Sequence, residues 1–251
     1  MSLDLEWIRA RLPEREIVWF DVAGSTMREA RRLAANGCAS GTVALAEEQL
    51  AGEGRYGRRW HSERESGLYV SVVLRVPLSV EAMPALTLAL GLATAQAITR
   101  TTGFGCDLRW PNDILLEGKK CAGILAQLED SAIIAGVGIN VNHVSFPQEL
   151  DQVATSLRLV TGRCQSREEL LVQLIEAVDS FCGLVTKGQV QAILRMFSRA
   201  STSVDGRRVK VHQGDSILEG TTEGLDSSGF LILRKDDGTR SLILSGGVRP
   251  A

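Results

Sequence analysis

The chain has 251 residues, enough for one large domain or a large domain with a small companion. Hydrophobic residues make up 44% and charged residues 23%, which suits a globular protein with a real core and excludes a disordered or fibrous chain. A net charge of −2 supplies no overall basic field toward nucleic acid or an anionic membrane surface.

The N-terminus, Met1-Ser2-Leu3-Asp4-Leu5, has neither the basic start nor the apolar run of a secretory signal. No stretch approaches the roughly 18 consecutive apolar residues of a membrane span, and the richest, Ala85 to Ile98, reads as a buried helix. The five cysteines have no close pairs and suggest neither a disulfide framework nor a zinc cluster, so a cytoplasmic location is expected.

Leu3 to Leu12 has helical spacing and stops before Pro13, and Glu16 to Asp21 reads as a short strand. Thr26-Met27-Arg28-Glu29 has the form of a capping box, predicting a helix that runs to Asn36 with a left-handed glycine at Gly37. Strands are expected over Gly41–Glu47 and Gly67–Val76, then a long helix over about Val80–Thr102 ended by Gly103. Cys106–Trp110, Ile114–Leu116, Ala122–Gln127 and Ala132–Val141 read as an antiparallel meander. Its turns are Pro111-Asn112-Asp113, Glu117-Gly118-Lys119-Lys120 and Glu129-Asp130-Ser131.

Ser166-Arg167-Glu168-Glu169 is a second capping box, opening a helix to about Lys187, and a shorter helix covers about Val190–Ala200. After Ser203, Arg207–Val211, Ser216–Thr222, Phe230–Leu233 and Ser241–Leu244 alternate with Gly and Asp turns, the pattern of a small β-barrel. Arg207, Arg208 and Lys210 read there as a solvated strand edge rather than a nucleic-acid patch. Two domains are expected, 1–202 and 203–251.

Gly52-Glu53-Gly54-Arg55-Tyr56-Gly57 matches the G-x-G-x-x-G dinucleotide fingerprint, but that motif works only where a helix starts at the loop. Here Arg58-Arg59-Trp60-His61-Ser62-Glu63 follows, with no apolar helical stripe, so the Rossmann reading fails. What remains is a flexible loop whose arginines match phosphate or carboxylate oxygens and whose Trp60 offers a flat face for a base. Arg109-Trp110-Pro111-Asn112-Asp113 packs polar groups into a turn, where Asn112 and Asp113 are candidates to hold magnesium. Lys119-Lys120 opens the next strand with a compact cation suited to a carboxylate or α-phosphate. Gly136-Val137-Gly138-Ile139-Asn140 adds two close-approach glycines and an amide able to read a base edge.

Together with Ser25-Thr26, the run Ala46 to Trp60 and Lys120-Cys121-Ala122-Gly123-Ile124-Leu125, these segments resemble the biotin protein ligases in order and spacing, over nearly the whole chain. The resemblance implies an α+β fold: a class II synthetase-like catalytic domain, with a mixed sheet packed with helices, and an SH3-like C-terminal barrel. It implies that biotin and Mg-ATP form biotinyl-5′-AMP, from which biotin passes to a lysine of a biotin carboxyl carrier protein, such as that of acetyl-CoA carboxylase. By position, Ser25, Thr26, Met27, Gln49, Gly52, Glu53, Gly54, Arg55, Lys120 and Gly123 are expected at biotin. Arg55, Arg58, Trp60, Asn112, Lys120 and Asn140 are expected at the nucleotide, with Arg55 and Lys120 catalytic and Asp113 near magnesium or the incoming lysine.

The family commonly carries a basic residue where this chain has Glu53, so the acid is expected to face solvent, to pair with a nearby arginine, or to leave binding to backbone. About 15 residues precede the first strand, too few for a helix-turn-helix module, so no DNA partner is expected. The charge and the lack of an apolar span speak against a membrane partner, and a monomer or homodimer is expected. The alternatives are a lipoate-type ligase acting on another carrier lysine, and a non-catalytic biotinyl-AMP-binding protein.

Overall fold

The computed structural model describes residues 2–77, 79–129, 132–213 and 216–251. Helix α1 (Leu5–Arg11) is capped by Asp4, whose carboxylate accepts from Trp7 N at 2.9 Å. Strand β1 (Ile17–Ala23), helix α2 (Thr26–Ala35), β2 (Val43–Gln49) and β3 (Gly67–Leu74) follow, with a 3₁₀ turn at Arg55–Gly57 between the last two. Helix α3 (Met83–Thr102) ends on Gly103 at φ 81°, where a left-handed residue closes the last turn.

The meander then runs as β4 (Asp107–Arg109), β5 (Asp113–Leu116), β6 (Lys119–Glu129) and β7 (Ala132–Asn140). Glu117 (φ 50°) and Gly118 (φ 77°) form the two-residue turn between β5 and β6, as a primed hairpin turn requires. The expected turn at Glu129-Asp130-Ser131 includes two positions outside the described residues. Helices α4 (Gln148–Asp151) and α5 (Leu157–Thr161), too short for a periodic signal, precede α6 (Arg167–Thr186) and α7 (Val190–Ala200).

The strands form one seven-stranded sheet in the order β1-β2-β3-β7-β6-β5-β4, with β1 and β2 parallel and the other neighbours antiparallel. Alternation along each strand divides its side chains between two layers. Val43, Leu45, Leu68, Val70, Val72, Ala135, Val137 and Ile139 face the main core with α3 and α6. Ala44, Val73, Ala132 and Ile134 face the other way, against Met27, Ala30 and Ala34 of α2. Helix α3, the described segment with the length and hydropathy of a membrane span, lies mostly buried in that main core. All five cysteines are free thiols.

A second sheet follows α7, built from β8 (Asp205–Gln213), β9 (Ser216–Leu225), β10 (Leu231–Arg234), β11 (Arg240–Ile243) and β12 (Gly247–Pro250) in the order β11-β10-β9-β8-β12. The fifth strand, β12, has no counterpart in the sequence reading, because four residues containing Gly and Pro carry little strand signal. It also corrects that reading: β8, which bears Arg207, Arg208 and Lys210, lies between two strands and is not an edge. Its charges face solvent in ion pairs, Lys210 with Glu219 at 3.2 Å and Arg208 with Asp236.

Ser166 caps α6 as expected, its Oγ accepting from Glu169 N at 3.1 Å and donating to Glu168 at 3.0 Å. The sequence reading did not see that Arg167 within it turns inward to Glu47 of β2 at 2.6 Å, with the two side chains 3% and 0% exposed. Removing one member strands the other charge in the core. Glu47→Ala or Arg167→Ala is therefore expected to cost about 3–5 kcal/mol in urea unfolding, and the double replacement Glu47→Leu with Arg167→Met less than either.

Candidate functional site

The site lies on the α2 face of the sheet. Alternation sends Gly123, Leu125, Gly136 and Gly138 to that face, while Ile124, Ala135, Val137 and Ile139 enter the main core. The missing side chains leave room for two neighbours. A Cβ on Gly138 would stand 2.5 Å from Trp60 Cε2, and one on Gly136 would stand 2.5 Å from Met27 Sδ. One on Gly123 would stand 2.9 Å from both Trp60 Cζ3 and Lys120 Cε. These glycines, expected to admit a ligand, admit Trp60 and Met27, and those side chains form part of the walls.

The segment 52–60 closes on itself as a hairpin. Gly54 N donates to Arg58 O at 2.8 Å, Trp60 N donates to Gly52 O at 2.9 Å, and Glu53 bridges Arg59 through the backbone. Gly52 is required at the crossing, where a Cβ would lie 2.8 Å from Trp60 O. Glu53 points at α2: Arg31 Nη2 donates to both its carboxylate oxygens at 2.8 and 2.9 Å, and Arg28 stands 4.0 Å away. Of the three outcomes open for Glu53, pairing with an arginine is the one observed, and it anchors the hairpin to α2.

At the start of α2 the structure corrects the capping assignment. Ser25, not Thr26, occupies the N-cap, and its buried hydroxyl has no hydrogen-bond partner. The cap comes from Gln49 at the end of β2, whose Oε1 accepts from Thr26 N at 2.8 Å and Thr26 Oγ1 at 3.1 Å. Gln49 Nε2 donates to Ser62 Oγ at 2.9 Å, and Ser71 Oγ donates to Thr26 Oγ1 at 2.9 Å. Ser62 and Ser71 carry no signal in the sequence, since only the fold brings them to Gln49 and Thr26.

Two adjoining cavities open here. The inner one is lined by Thr26, Met27, Gln49 and Glu53 with Val70, Ile124, Leu125 and Val137. The outer one is lined by Arg58, His61, Asp113, Asn140 and Phe146, with Gly246, Gly247 and Arg249 from the small barrel. Gly54, Arg55, Trp60, Asn112 and Lys120 line both cavities. Arg55 is steered by Asn112, whose Oδ1 accepts from Nη1 at 3.2 Å while its Nδ2 donates to Ile124 O at 2.8 Å. Asn140 Nδ2 donates to Thr155 O at 3.1 Å.

Lys120 reaches this junction through a break in the β5–β6 register. Ile114 pairs with Ala122 but Leu115 pairs with Lys120, so Cys121 is an extra residue on β6. A bulge of this kind re-aims the side chain beside it. Lys120 Nζ then lies 2.5 Å from Asp113 Oδ1 and 5.3 Å from the Trp60 ring centre. Asp113 Oδ2 lies 2.9 Å from Arg109 and 3.8 Å from Arg249. Burial alone would raise the Asp113 carboxyl, but Lys120 and Arg109 outweigh it and hold the group below the usual carboxylate range. Asp113 thus does not fit the magnesium role expected for it, because three cationic side chains already surround its oxygens. Arg249, absent from the sequence reading, enters because β12 pairs with β8 at the site's rim.

Residues 19–143 match the Biotin/lipoate A/B protein ligase family, and residues 206–248 match the Biotin protein ligase C terminal domain. The chain is 31% identical to the bifunctional ligase/repressor BirA of Bacillus subtilis, over 94% of this chain and 74% of that one. It is 33% identical to a biotin–[acetyl-CoA-carboxylase] ligase of Mycobacterium tuberculosis, over 89% of this chain and 84% of that one. Its fold superposes on the Aquifex aeolicus biotin protein ligase in complex with biotin and ATP with a TM-score of 0.84 at 30% identity, covering 94% and 99% of the two chains. Gly138→Ala is expected to expel Trp60 from its groove, read as a red shift and weakening of tryptophan near-ultraviolet signals with a stability loss of about 1–3 kcal/mol.

Proposed function

The chain belongs to the biotin/lipoate A/B protein ligase family, and from that premise we propose a division of labour between its two cavities. The chain is a biotin ligase: ATP converts the biotin carboxylate to biotinyl-5′-AMP with loss of pyrophosphate, and the acyl group then passes to a lysine amine. In our reading that lysine belongs to a biotin carboxyl carrier domain, as of the acetyl-CoA carboxylase that the names of the Mycobacterium tuberculosis and Paracoccus denitrificans relatives give as acceptor.

The observation that carries the proposal is the set of five residues shared by both cavities, which includes Arg55 and Lys120. A carboxylate must attack a phosphate ester that is already strongly negative. Two cations at the boundary between their chambers offset that repulsion and stabilise charge as it spreads over phosphorus. The inner chamber suits biotin: Met27, Trp60 and Leu125 give apolar walls, and Thr26 and Gln49, with the unpartnered Ser25 hydroxyl next to them in the chain, give neutral donors and acceptors for a ureido group. Gly54 and Gly123 shape its walls, and Gly52 holds the hairpin crossing beside Gln49.

The outer chamber takes ATP, with Trp60 and Asn140 toward adenine and Arg58, Asn112 and Arg249 toward phosphate. Magnesium enters as part of the nucleotide substrate. Asp113 acts on Lys120: it fixes the ammonium at the junction, and Asn112 does the same for Arg55. In the second step the carrier amine attacks the acyl carbon, the amide forms, and AMP leaves with the bonding pair.

Biotin-dependent exchange of pyrophosphate into ATP tests this reading. Lys120→Ala and Arg55→Ala should each lower exchange at least about a hundredfold, the scale of a lost electrostatic contact. Near wild-type exchange in folded Lys120→Ala would sink the assignment. Lipoate in place of biotin should support no exchange, and transfer to a purified carrier domain should follow from biotin alone, which separates a ligase from a binding protein. Arg249→Ala should raise KM for ATP roughly tenfold with little change in KM for biotin, as expected for a group that binds only one substrate.

A further inference from the structure

The chain segment leaving Trp60 and the one leaving Asn140 meet at three groups with no assigned role. His61, Glu63 and His143 each offer a ligand atom, and these atoms lie within 4.8 Å of one another. His143 is fully buried, and neither of its ring nitrogens has a hydrogen-bond partner. A buried imidazole ordinarily satisfies at least its N–H, so an orphaned one in a native fold asks for an explanation. Stacking on Phe146, with ring centres 5.1 Å apart, fills space but provides no partner for the nitrogens.

We propose that His61, Glu63 and His143 bind a zinc-type divalent cation at the rim of the outer cavity. Two imidazoles with one carboxylate are borderline ligands, which suit zinc, cobalt or nickel better than the oxygen-seeking magnesium that accompanies ATP. Burial and the neighbouring His61 push the His143 imidazole down to about 4, so its lone pair stays available at neutral pH. Bond lengths of roughly 2.0–2.2 Å to a tetrahedral ion require ligand atoms about 3.4 Å apart. The exposed Glu63 and the half-buried His61 therefore swing inward onto the fixed His143, whose carbonyl accepts from Ser156 Oγ at 2.7 Å. The fourth position falls to water. Such an ion clips together the two segments that carry Trp60 and Asn140, both of which line the outer cavity.

The test uses the tag-free full chain carrying Cys164→Ser, because Cys164 is an exposed thiol that would compete for the metal. After chelator treatment, cobalt(II) is titrated and followed by its visible d–d absorption, with zinc then added to displace it. The expected result is one equivalent bound, with a thermal midpoint raised by several degrees on zinc addition, since an ion bound only to the native state stabilises it. His61→Ala and Glu63→Gln, both at accessible positions chosen to spare the core, should each weaken binding at least about tenfold, the lower end of losses seen even for groups behind the ligands. No stoichiometric binding, or wild-type affinity in both variants, would overturn the proposal. Neither readout depends on ligase activity.

Discussion

A β-strand shows its successive side chains to opposite faces, and this site exists because β6 breaks that rule once. Counting back from Gly123, which faces the cavities, strict alternation would point Lys120 into the main core. The extra residue Cys121 moves the count by one, so Cys121 and Ala122 both enter the core and Lys120 emerges beside Asp113. The cross-strand partners of Lys120 and Gly123 are Leu115 and Asp113, which stand two apart on β5 and share its site face. A lysine in the core would be a desolvated charge without compensation, whereas the bulge delivers it to the junction of two cavities. The strand keeps its hydrophobic register on both sides of the break, which is why so small an irregularity is tolerated.

Concentrating cations at that junction carries its own electrostatic cost, and the fold distributes the compensation. Arg109, Lys120 and Arg249 share Asp113, so the empty junction is not a bare cluster of positive charge. Glu53 does the same for α2: it engages Arg31 and approaches Arg28, so the acid in an otherwise basic loop neutralises neighbours outside the loop. The loop's own Arg55 is left to Asn112 and Tyr56, neutral partners that orient a guanidinium without cancelling its charge. Arg55, paired with no carboxylate among the described residues, is thus a cation that both cavities share.

Much of this was legible in the sequence where the signal is local. The meander and the long helices rest on periodicity over many residues, and the Ser166 cap rests on residues three apart. Misreadings occurred where a distant residue decides the outcome. Ser25 and Thr26 can both cap a helix, and Gln49, delivered by the parallel β1–β2 pairing, makes the choice between them. Arg167 looks like a solvated first-turn residue until Glu47 is placed opposite it. The glycines were read correctly as sites of close approach, but what approaches them is Trp60 and Met27, a fact only the sheet's layering reveals. Asp113 reads from the sequence as a metal candidate, and the fold instead surrounds its oxygens with Arg109, Lys120 and Arg249, only the first of which lies near it in the chain.

The small barrel follows from the same reasoning about incomplete parts. Five short strands enclose too little apolar surface for an independent core, and their buried residues, Val209, Val211, Leu231, Leu233 and Ile243, belong to the main hydrophobic cluster of the molecule. Docking is specific as well as apolar. Trp110 Nε1 donates to Gly229 O at 3.0 Å, and Gly229, at φ 97°, sits so close that a Cβ would stand 3.1 Å from Leu88 and 3.2 Å from Leu194. Asp107 accepts from Thr202 N and Oγ1, both at 2.8 Å, fixing the linker between α7 and β8. With the barrel held at both places, β12 runs past the outer cavity and Arg249 faces Asp113. The Trp110 that anchors the barrel lies one residue beyond Arg109 and three before Asp113. The turn that builds the charge cluster is therefore also the turn that docks the barrel, and a change there disturbs the cluster and the docking together.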